Sequence, residues 1–174
     1  MDGDGDRMTR ILLLEQLKAF TLEATKNIIL PVQMQEEDTE PPAPRPVRVF
    51  LTRLPDGKVY MRDAPYILHQ VVTCKDVHQP GRPWPDSSAV VRSVFCVYHP
   101  DEQEGGLALL NLMERMRIAL MQQVVIGKQF TLDLQEGLES LIYPENSAPF
   151  YAGEMISQWK LKSVERKLTQ WQET

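Results

Sequence analysis

The sequence predicts an α+β fold in which a single, mostly antiparallel β-sheet is packed on one face by two α-helices, with proline-rich loops that protrude from it. Two stretches repeat apolar residues at helical spacing, and β-branched runs typical of strands lie between and after them. A length of 174 residues suits one domain, since a chain of this size buries a large core without a second unit. Layer packing then places both helices on the same face of the sheet.

The first element is an amphipathic helix close to the N-terminus. Leu13 and Leu17 belong to a set of apolar residues with the 3.6-residue period of a helix face, and Asp6 carries a side chain suited to an N-cap. Pro31 ends this pattern. Residues 33–46 are acidic and then rich in proline, so we expect them to form an exposed, extended loop.

Strand patterns follow this loop. Alternation from Val47 predicts a first strand, and Pro55-Asp56-Gly57 supplies turn chemistry before a short run at residues 59–61. Residues 66–75 and 89–98 are rich in β-branched side chains, which favour a pleated sheet. We expect these two segments to be the central strands.

The second helix has the clearer signals. Asp101 and Glu104 have the spacing of a capping box, and apolar residues then repeat on one face as far as Leu120. Each glycine of the Gly105-Gly106 pair would cost a helix interior on the order of 1 kcal/mol. The regular part of the helix is therefore expected to start near Leu107.

The last third of the chain returns to strand. Residues 128–134, 138–143 and 150–161 carry strand patterns, the last of them with alternating large apolar side chains. The C-terminal segment, residues 164–174, is expected to close in a short helix.

Charge and composition exclude several classes of function. The formal net charge is -5, so the chain lacks the basic field that binds phosphate backbones, and DNA would be repelled rather than held. No apolar stretch approaches the length of a membrane span, and the acidic N-terminus is unlike a secretory signal, so we expect no membrane contact and a cytoplasm-like compartment. Cys74 and Cys96 are expected to be free thiols, the alternative being one bridge between paired strands.

Metal binding and catalysis have one stretch of candidate side chains, which contains the three histidines and both cysteines: His69, Cys74, His78, Cys96 and His99. Strand residues an odd number apart face opposite sides, which separates His69 from Cys74 and Cys96 from His99. His78 and His99 lie at strand ends, so this argument does not exclude them as a pair of metal ligands. Because no glycine elbow and no phosphate loop is present, we expect no catalytic residue, no metal and no cofactor.

Two segments are candidates for a subunit interface. Residues 79–88 contain several prolines, which cannot continue a ladder, so this segment is expected to protrude, with Trp84 either contacting a partner or folding back on the sheet. The second segment is the last strand, whose aromatic residues suit an interface or a core equally, and whose glycine indicates a bulge or a close backbone approach. The candidate residues are Trp84, Phe150, Tyr151, Gly153 and Trp159.

Several short stretches lie between Arg45 and Arg166 in a fixed order: Leu54-Pro55, Pro65-Tyr66-Ile67-Leu68, Asn111-Leu112-Met113-Glu114-Arg115-Met116-Arg117, Pro149-Phe150-Tyr151-Ala152-Gly153-Glu154-Met155 and Trp159. Each is a common structural pattern and none is catalytic. Together, in order and in spacing, they resemble the tail terminator (tail-completion) proteins of long-tailed bacteriophages.

The resemblance implies a non-enzymatic structural protein of the virion, assembled in the host cytoplasm. Proteins of this family form a hexameric ring that caps the tail tube and joins it to the head, so the implied partners are further copies of the chain, the tail tube protein and a head-completion protein. DNA passes through such a ring without specific binding. The alternatives are another neck component, such as a head-closure or connector protein, a monomeric adaptor, and a small metal-dependent or thiol enzyme that uses residues 69–99.

Overall fold

A computed structural model describes residues 9–55, 62–144 and 147–164. Several predicted features lie outside these residues. They are the N-cap Asp6, the Asp56-Gly57 turn with the run at 59–61, and nearly all of the C-terminal segment. The elements are α1 (Arg10–Thr25), β1 (Arg48–Leu51), β2 (Tyr66–His78), β3 (Pro85–Tyr98), α2 (Glu102–Gln123), β4 (Val125–Ile126), β5 (Phe130–Leu132), β6 (Leu138–Ile142) and β7 (Phe150–Leu161).

Helix α1 begins after Thr9, whose side chain accepts a hydrogen bond from the backbone N–H of Leu12 at 3.2 Å. This bond satisfies one of the amide groups that a helix leaves unpaired at its start. The helix ends at Thr25, six residues before Pro31, and residues 33–46 follow without helix or strand.

Helix α2 corrects the expectation that its regular part starts near Leu107. It begins at Glu102, because the Asp101 carboxylate accepts from the backbone N–H groups of Gln103 and Glu104 at 2.9 and 3.1 Å. The glycine pair therefore lies inside the first turns. Gly105 has a packing reason to be there, since a Cβ at this position would overlap the ring of Tyr151 on β7.

The sheet is mixed, which corrects the expectation of a mostly antiparallel one. Strand β1 runs parallel to β2, with Arg48 opposite Tyr66 and Leu51 opposite His69, while the remaining pairings are antiparallel. The strand order is β1-β2-β3-β7-β5-β4, and β6 pairs with β7 beside β5. Strands β3 and β7 are thus central, whereas β2 has neighbours on both sides only along its first four residues.

Strand β3 is longer than the sequence predicted, and this corrects the expected loop at residues 79–88. The strand begins at Pro85, which pairs with His78, so only residues 79–84 remain outside the ladder. Pro85 is tolerated because the β7 ladder reaches β3 only from Ser87 onwards, and no second neighbour needs the N–H that proline lacks. The result is a long β2–β3 hairpin with a short tip.

The core lies between the sheet and both helices. Leucines of α1 and α2 pack against one face of β3 and β7, including Phe95, Met155 and Trp159. A smaller cluster lies on the other face of the sheet, where Leu54 and Ala64 pack against Tyr66 and Cys96. We call this second side the open face, because no helix of the described residues packs on it.

None of the helices among the described residues combines the length and the apolar character needed to cross a membrane.

Candidate interaction surface

The outer edge of β2 is unpaired over most of its length. Strand β1 pairs with β2 only as far as His69, and the backbone N–H of Thr52 donates to the carbonyl of His69 at 2.9 Å as the last of these bonds. From Gln70 to His78 the strand has β3 on one side and no strand of the described residues on the other. A single-paired strand presents a row of free backbone donors and acceptors to a further strand.

This edge carries features that modulate pairing. The register shifts between Val71 and Thr73, so Val72 forms a bulge and its side chain is 50% exposed. Asp76, farther along, is bound by the guanidinium of Arg10 from α1 at 3.0 Å. Bulges and charges limit the pairing of an edge strand, so a strand that adds to this edge must accommodate the bulge at Val72 and the charge of Asp76.

The opposite side of the sheet ends in a second, different edge. Strand β6 pairs with β7 along five residues, Leu138 opposite Ser157 through Ile142 opposite Gly153. Its other side has no strand neighbour in the described part of the chain. Leu141 and Ile142 are half exposed there. Besides the short terminal strands β1 and β4, the described residues therefore present two longer, unlike free edges on opposite sides of one sheet, one on β2 and one on β6.

The tip of the β2–β3 hairpin holds Trp84, one of the predicted interface residues. Its side chain is 46% exposed, so it is only partly covered by its own subunit. Below the tip, a groove of about 470 Å³ has basic side chains from three segments, Lys75, Arg82 and Lys160. Arg82 is 3.6 Å from Asp86 and Lys160 is 3.6 Å from Asp133, so carboxylates offset part of this positive charge.

The other predicted interface residues lie in β7. Phe150, Gly153 and Trp159 are buried, whereas Tyr151 is only partly buried against the core. Trp159 is completely buried, and its indole N–H donates to the hydroxyl of Ser157 at 2.9 Å. Phe150 is buried against Tyr98, and Gly153 lies where a Cβ would come within 2.9 Å of the sulfur of Met113. A side chain with no exposed surface cannot contact a neighbour, so the role of Trp159 is corrected from interface to core.

His69 is a fully buried member of a hydrogen-bonded chain. Its Nε2 lies 2.8 Å from the hydroxyl of Thr21, and its Nδ1 lies 2.7 Å from the hydroxyl of Ser93. Thr21 already donates its hydroxyl hydrogen to the carbonyl of Leu17 at 2.7 Å, so Nε2 must carry the ring hydrogen and Nδ1 must accept from Ser93. Burial lowers the pKa of His69 to about 3, which keeps the ring neutral.

The remaining candidate side chains for metal binding are dispersed. Because of the bulge, Cys74 pairs with Ala89 and shares a face with His69, which corrects the argument that these two face opposite sides. Along β3 their pairing partners are nevertheless four residues apart, about 13 Å. His99 uses Nδ1 to accept the backbone N–H of Asp101 at 3.0 Å. Among residues 9–55, 62–144 and 147–164, no three His, Cys, Asp or Glu side chains are grouped to hold a metal.

Both cysteines are free thiols, as expected, but their environments differ. Cys74 is exposed on β2, whereas Cys96 is buried on the open face. Burial raises the pKa of Cys96 to about 11, and the hydrogen bond with Tyr66 only partly offsets this effect. A thiol with this pKa is protonated at neutral pH and is a poor nucleophile.

The sequence did not reveal one polar cluster on the open face. The Arg92 side chain donates to Glu154 through Nε and to the Tyr143 hydroxyl through a terminal nitrogen at 3.0 Å, and Tyr143 donates to Glu154 at 2.8 Å. Burial would raise the pKa of Glu154, but these hydrogen bonds outweigh it and lower that pKa. The three residues come from three segments that are neighbours only in the folded sheet, so no local spacing could have indicated them.

Comparison of the sequence with known protein families gives no match, and no curated protein shows significant similarity to it. The function must therefore be argued from the residues and from their arrangement.

Proposed function

We propose that this protein is a ring-forming structural component of a phage tail, a tail terminator that caps the tail tube and joins it to the head. The observation that carries the proposal is the pair of unlike sheet edges. The β2 edge from Gln70 to His78 and the β6 edge from Leu138 to Ile142 lie on opposite sides of one sheet.

Unlike edges favour head-to-tail assembly. A contact between two different surfaces of the same protein repeats from copy to copy and gives a ring if the rotation closes. Strands β2, β3, β7 and β6 alternate in direction, so a neighbouring β2 would lie antiparallel to β6. The registers place β6 level with residues 67–71 of β2, so under this proposal the strands are tilted against the ring axis, which brings the free segment from Gln70 to His78 opposite β6. Antiparallel pairing of this kind continues the sheet across the subunit boundary.

The residues that carry the resemblance to tail terminators also support a structural role. Two of the matching stretches meet in the fold, because the close approach at Gly153 is made by Met113 of α2. Two of the candidate catalytic groups are in turn occupied by structural contacts, since His69 is held between two hydroxyls and His99 accepts from the backbone N–H of Asp101. Under this proposal the net charge of -5 lets DNA slide through the ring without being bound.

Electron microscopy of the purified protein mixed with tail tubes tests the proposal. We expect ring-shaped density at one end of each tube and no further tube growth from that end. The variant Val72→Lys places a charge on the β2 edge and should abolish capping, because lysine on an edge strand opposes pairing. The control Ile29→Lys changes a similarly exposed apolar residue outside the sheet and should cap normally.

Two outcomes would contradict the proposal. One is a folded protein that binds neither end of the tube. The other is stoichiometric zinc in the purified protein together with a turnover that is lost on replacement of His78 or His99, which would favour the enzyme alternative. A head-closure or connector protein would instead bind the head portal and leave the tube uncapped.

A further inference from the structure

Helix α2 has a second apolar face, directed away from the core. Its inner face is buried through Leu109, Met116 and Leu120. On the opposite side of the helix, four large apolar side chains are 43 to 61% exposed: Leu107, Leu110, Ile118 and Met121. Glu114 lies at the centre of this set, and we call the five residues together the α2 stripe. A surface helix normally shows polar residues here, so such a stripe indicates a contact.

The stripe is symmetric about its centre. Leu107 and Met121 are each seven residues from Glu114, and Leu110 and Ile118 are each four residues from it. A helix rises 1.5 Å per residue, so the outer pair lies about 10 Å on either side of Glu114 along the axis. At about 100° per residue, the other four positions all fall within about 40° of Glu114 around the helix.

We propose that the α2 stripe is a two-fold dimer contact with a second copy of this chain. If two α2 helices pack antiparallel with the two-fold axis at Glu114, Leu107 meets Met121 of the second copy and Leu110 meets Ile118 of the second copy. Every apolar residue of the stripe then finds an apolar partner. A two-fold contact requires a self-complementary surface, and a stripe at helical spacing meets this requirement when its central residue can face itself.

The charges at the centre also suit a second copy. Glu114 would face Glu114 of the second copy across the axis, which alone would be repulsive. Arg117 binds the Glu114 carboxylate in a two-pronged contact, with Nε at 2.9 Å and a terminal nitrogen at 2.7 Å from its oxygens. Arg117 lies about 4.5 Å farther along the axis, so it can reach both carboxylates and neutralise the centre.

The size of the stripe sets the strength of the contact. One helix pair covers less than the roughly 800 Å² per partner of a standard stable interface. We therefore expect a concentration-dependent dimer rather than a permanent one. The contact is independent of the proposed tail function, because the stripe lies on the helix side and leaves both sheet edges free.

Disulfide trapping tests the geometry directly. In a Cys74→Ser background, which removes the exposed native thiol, Glu114→Cys places a cysteine on the axis next to its own mate. We expect a disulfide-linked dimer under mild oxidation. The control Gln103→Cys lies on the same side of α2 but about 33 Å from its mate in this dimer, so it should cross-link at least about tenfold more slowly.

Light scattering over a concentration series provides the second test. With the sheet-edge contact blocked by Val72→Lys, the chain should approach twice its monomer mass at high concentration, and Val72→Lys combined with Ile118→Glu should remain monomeric. Gln122→Glu adds the same charge beside the stripe and should still dimerise in the Val72→Lys background. A Val72→Lys chain that stays monomeric to millimolar concentration, equal cross-linking of the two cysteine variants, or a dimer of this chain that survives Ile118→Glu would overturn the proposal.

Discussion

A Cβ atom on Gly105 would lie 2.0 Å from the ring carbon Cε2 of Tyr151. The Tyr151 hydroxyl donates to the backbone carbonyl of Glu102 at 3.1 Å, so the tyrosine crosses the first turn of α2 and fixes it to β7. The glycine is thus required by a neighbour, although it lowers the intrinsic stability of the helix.

This contact predicts opposite effects of alanine at two adjacent glycines. Gly105→Ala should lower the free energy of unfolding by about 1 to 3 kcal/mol, because the tyrosine ring must move and lose its bond to Glu102. A Cβ on Gly106 would meet no other segment of the described chain within 4 Å, so Gly106→Ala should raise stability by up to about 1 kcal/mol. Urea unfolding curves measure both. Equal effects of the two substitutions on the free energy of unfolding would show that a Cβ at position 105 does not disturb the Tyr151 ring.

His69 predicts a loss of stability in acid. Its pKa of about 3 in the folded protein lies below the unfolded value of about 6.5, so the unfolded state binds the proton more readily in between. The free energy of unfolding should therefore fall with decreasing pH from about 6.5 towards 3, with a contribution of up to about 1.4 kcal/mol per pH unit.

The measurement is the slope of stability against pH for three proteins. His69→Gln removes the titrating group and should show a shallower slope than the native chain. Val72→Gln, at an exposed position of β2, removes no titrating group and should keep the native slope. A native slope in His69→Gln would mean that other groups account for the acid sensitivity.

Two of the three tryptophans, Trp84 and Trp159, should respond differently to truncation. Trp159→Ala removes a fully buried side chain and should cost about 3 to 5 kcal/mol of stability. Trp84→Ala acts at the exposed hairpin tip and should change stability by less than about 1 kcal/mol. Thermal unfolding gives both values. If Trp84→Ala is as damaging as Trp159→Ala, the tip must be packed more tightly than its exposure indicates.

The two thiols should be distinguishable by reactivity. Cys74 is exposed and should react with a thiol reagent within the mixing time at neutral pH, whereas buried Cys96, with its pKa raised to about 11, should react only on unfolding. Counting modified thiols with and without denaturant by mass spectrometry checks this. Rapid modification of Cys96 in the folded protein would contradict its burial.

The local pattern of apolar and polar residues predicted several helices and strands. It failed where the pairing of strands depends on segments that are distant in the sequence. Strand β7 was predicted at residues 150–161, where the structure has it, because its alternation reflects two different faces. The parallel β1–β2 pair was missed, although the 14 residues between Leu51 and Tyr66 are long enough for a crossover. The start of β3 was missed because proline was taken to exclude pairing, whereas Pro85 needs no ladder bond on its second side.

The candidate interface shows the same limit. Aromatic residues such as those of β7 are common both in protein cores and in subunit contacts. Composition alone therefore could not assign Trp159 to one or the other. The free edges depend on which strands are neighbours, and the α2 stripe depends on which helix face the sheet covers. Both are properties of the assembled sheet rather than of any segment.

The position of β7 has a consequence for biosynthesis. This strand is made after all the other described strands, yet it lies between β3 on one side and β5 and β6 on the other. While the ribosome is still translating the earlier strands, β3 lacks one of its two neighbouring strands and the core lacks Trp159. The native sheet can therefore close only after β7 has emerged, so its central pairing is among the last contacts that a nascent chain can form.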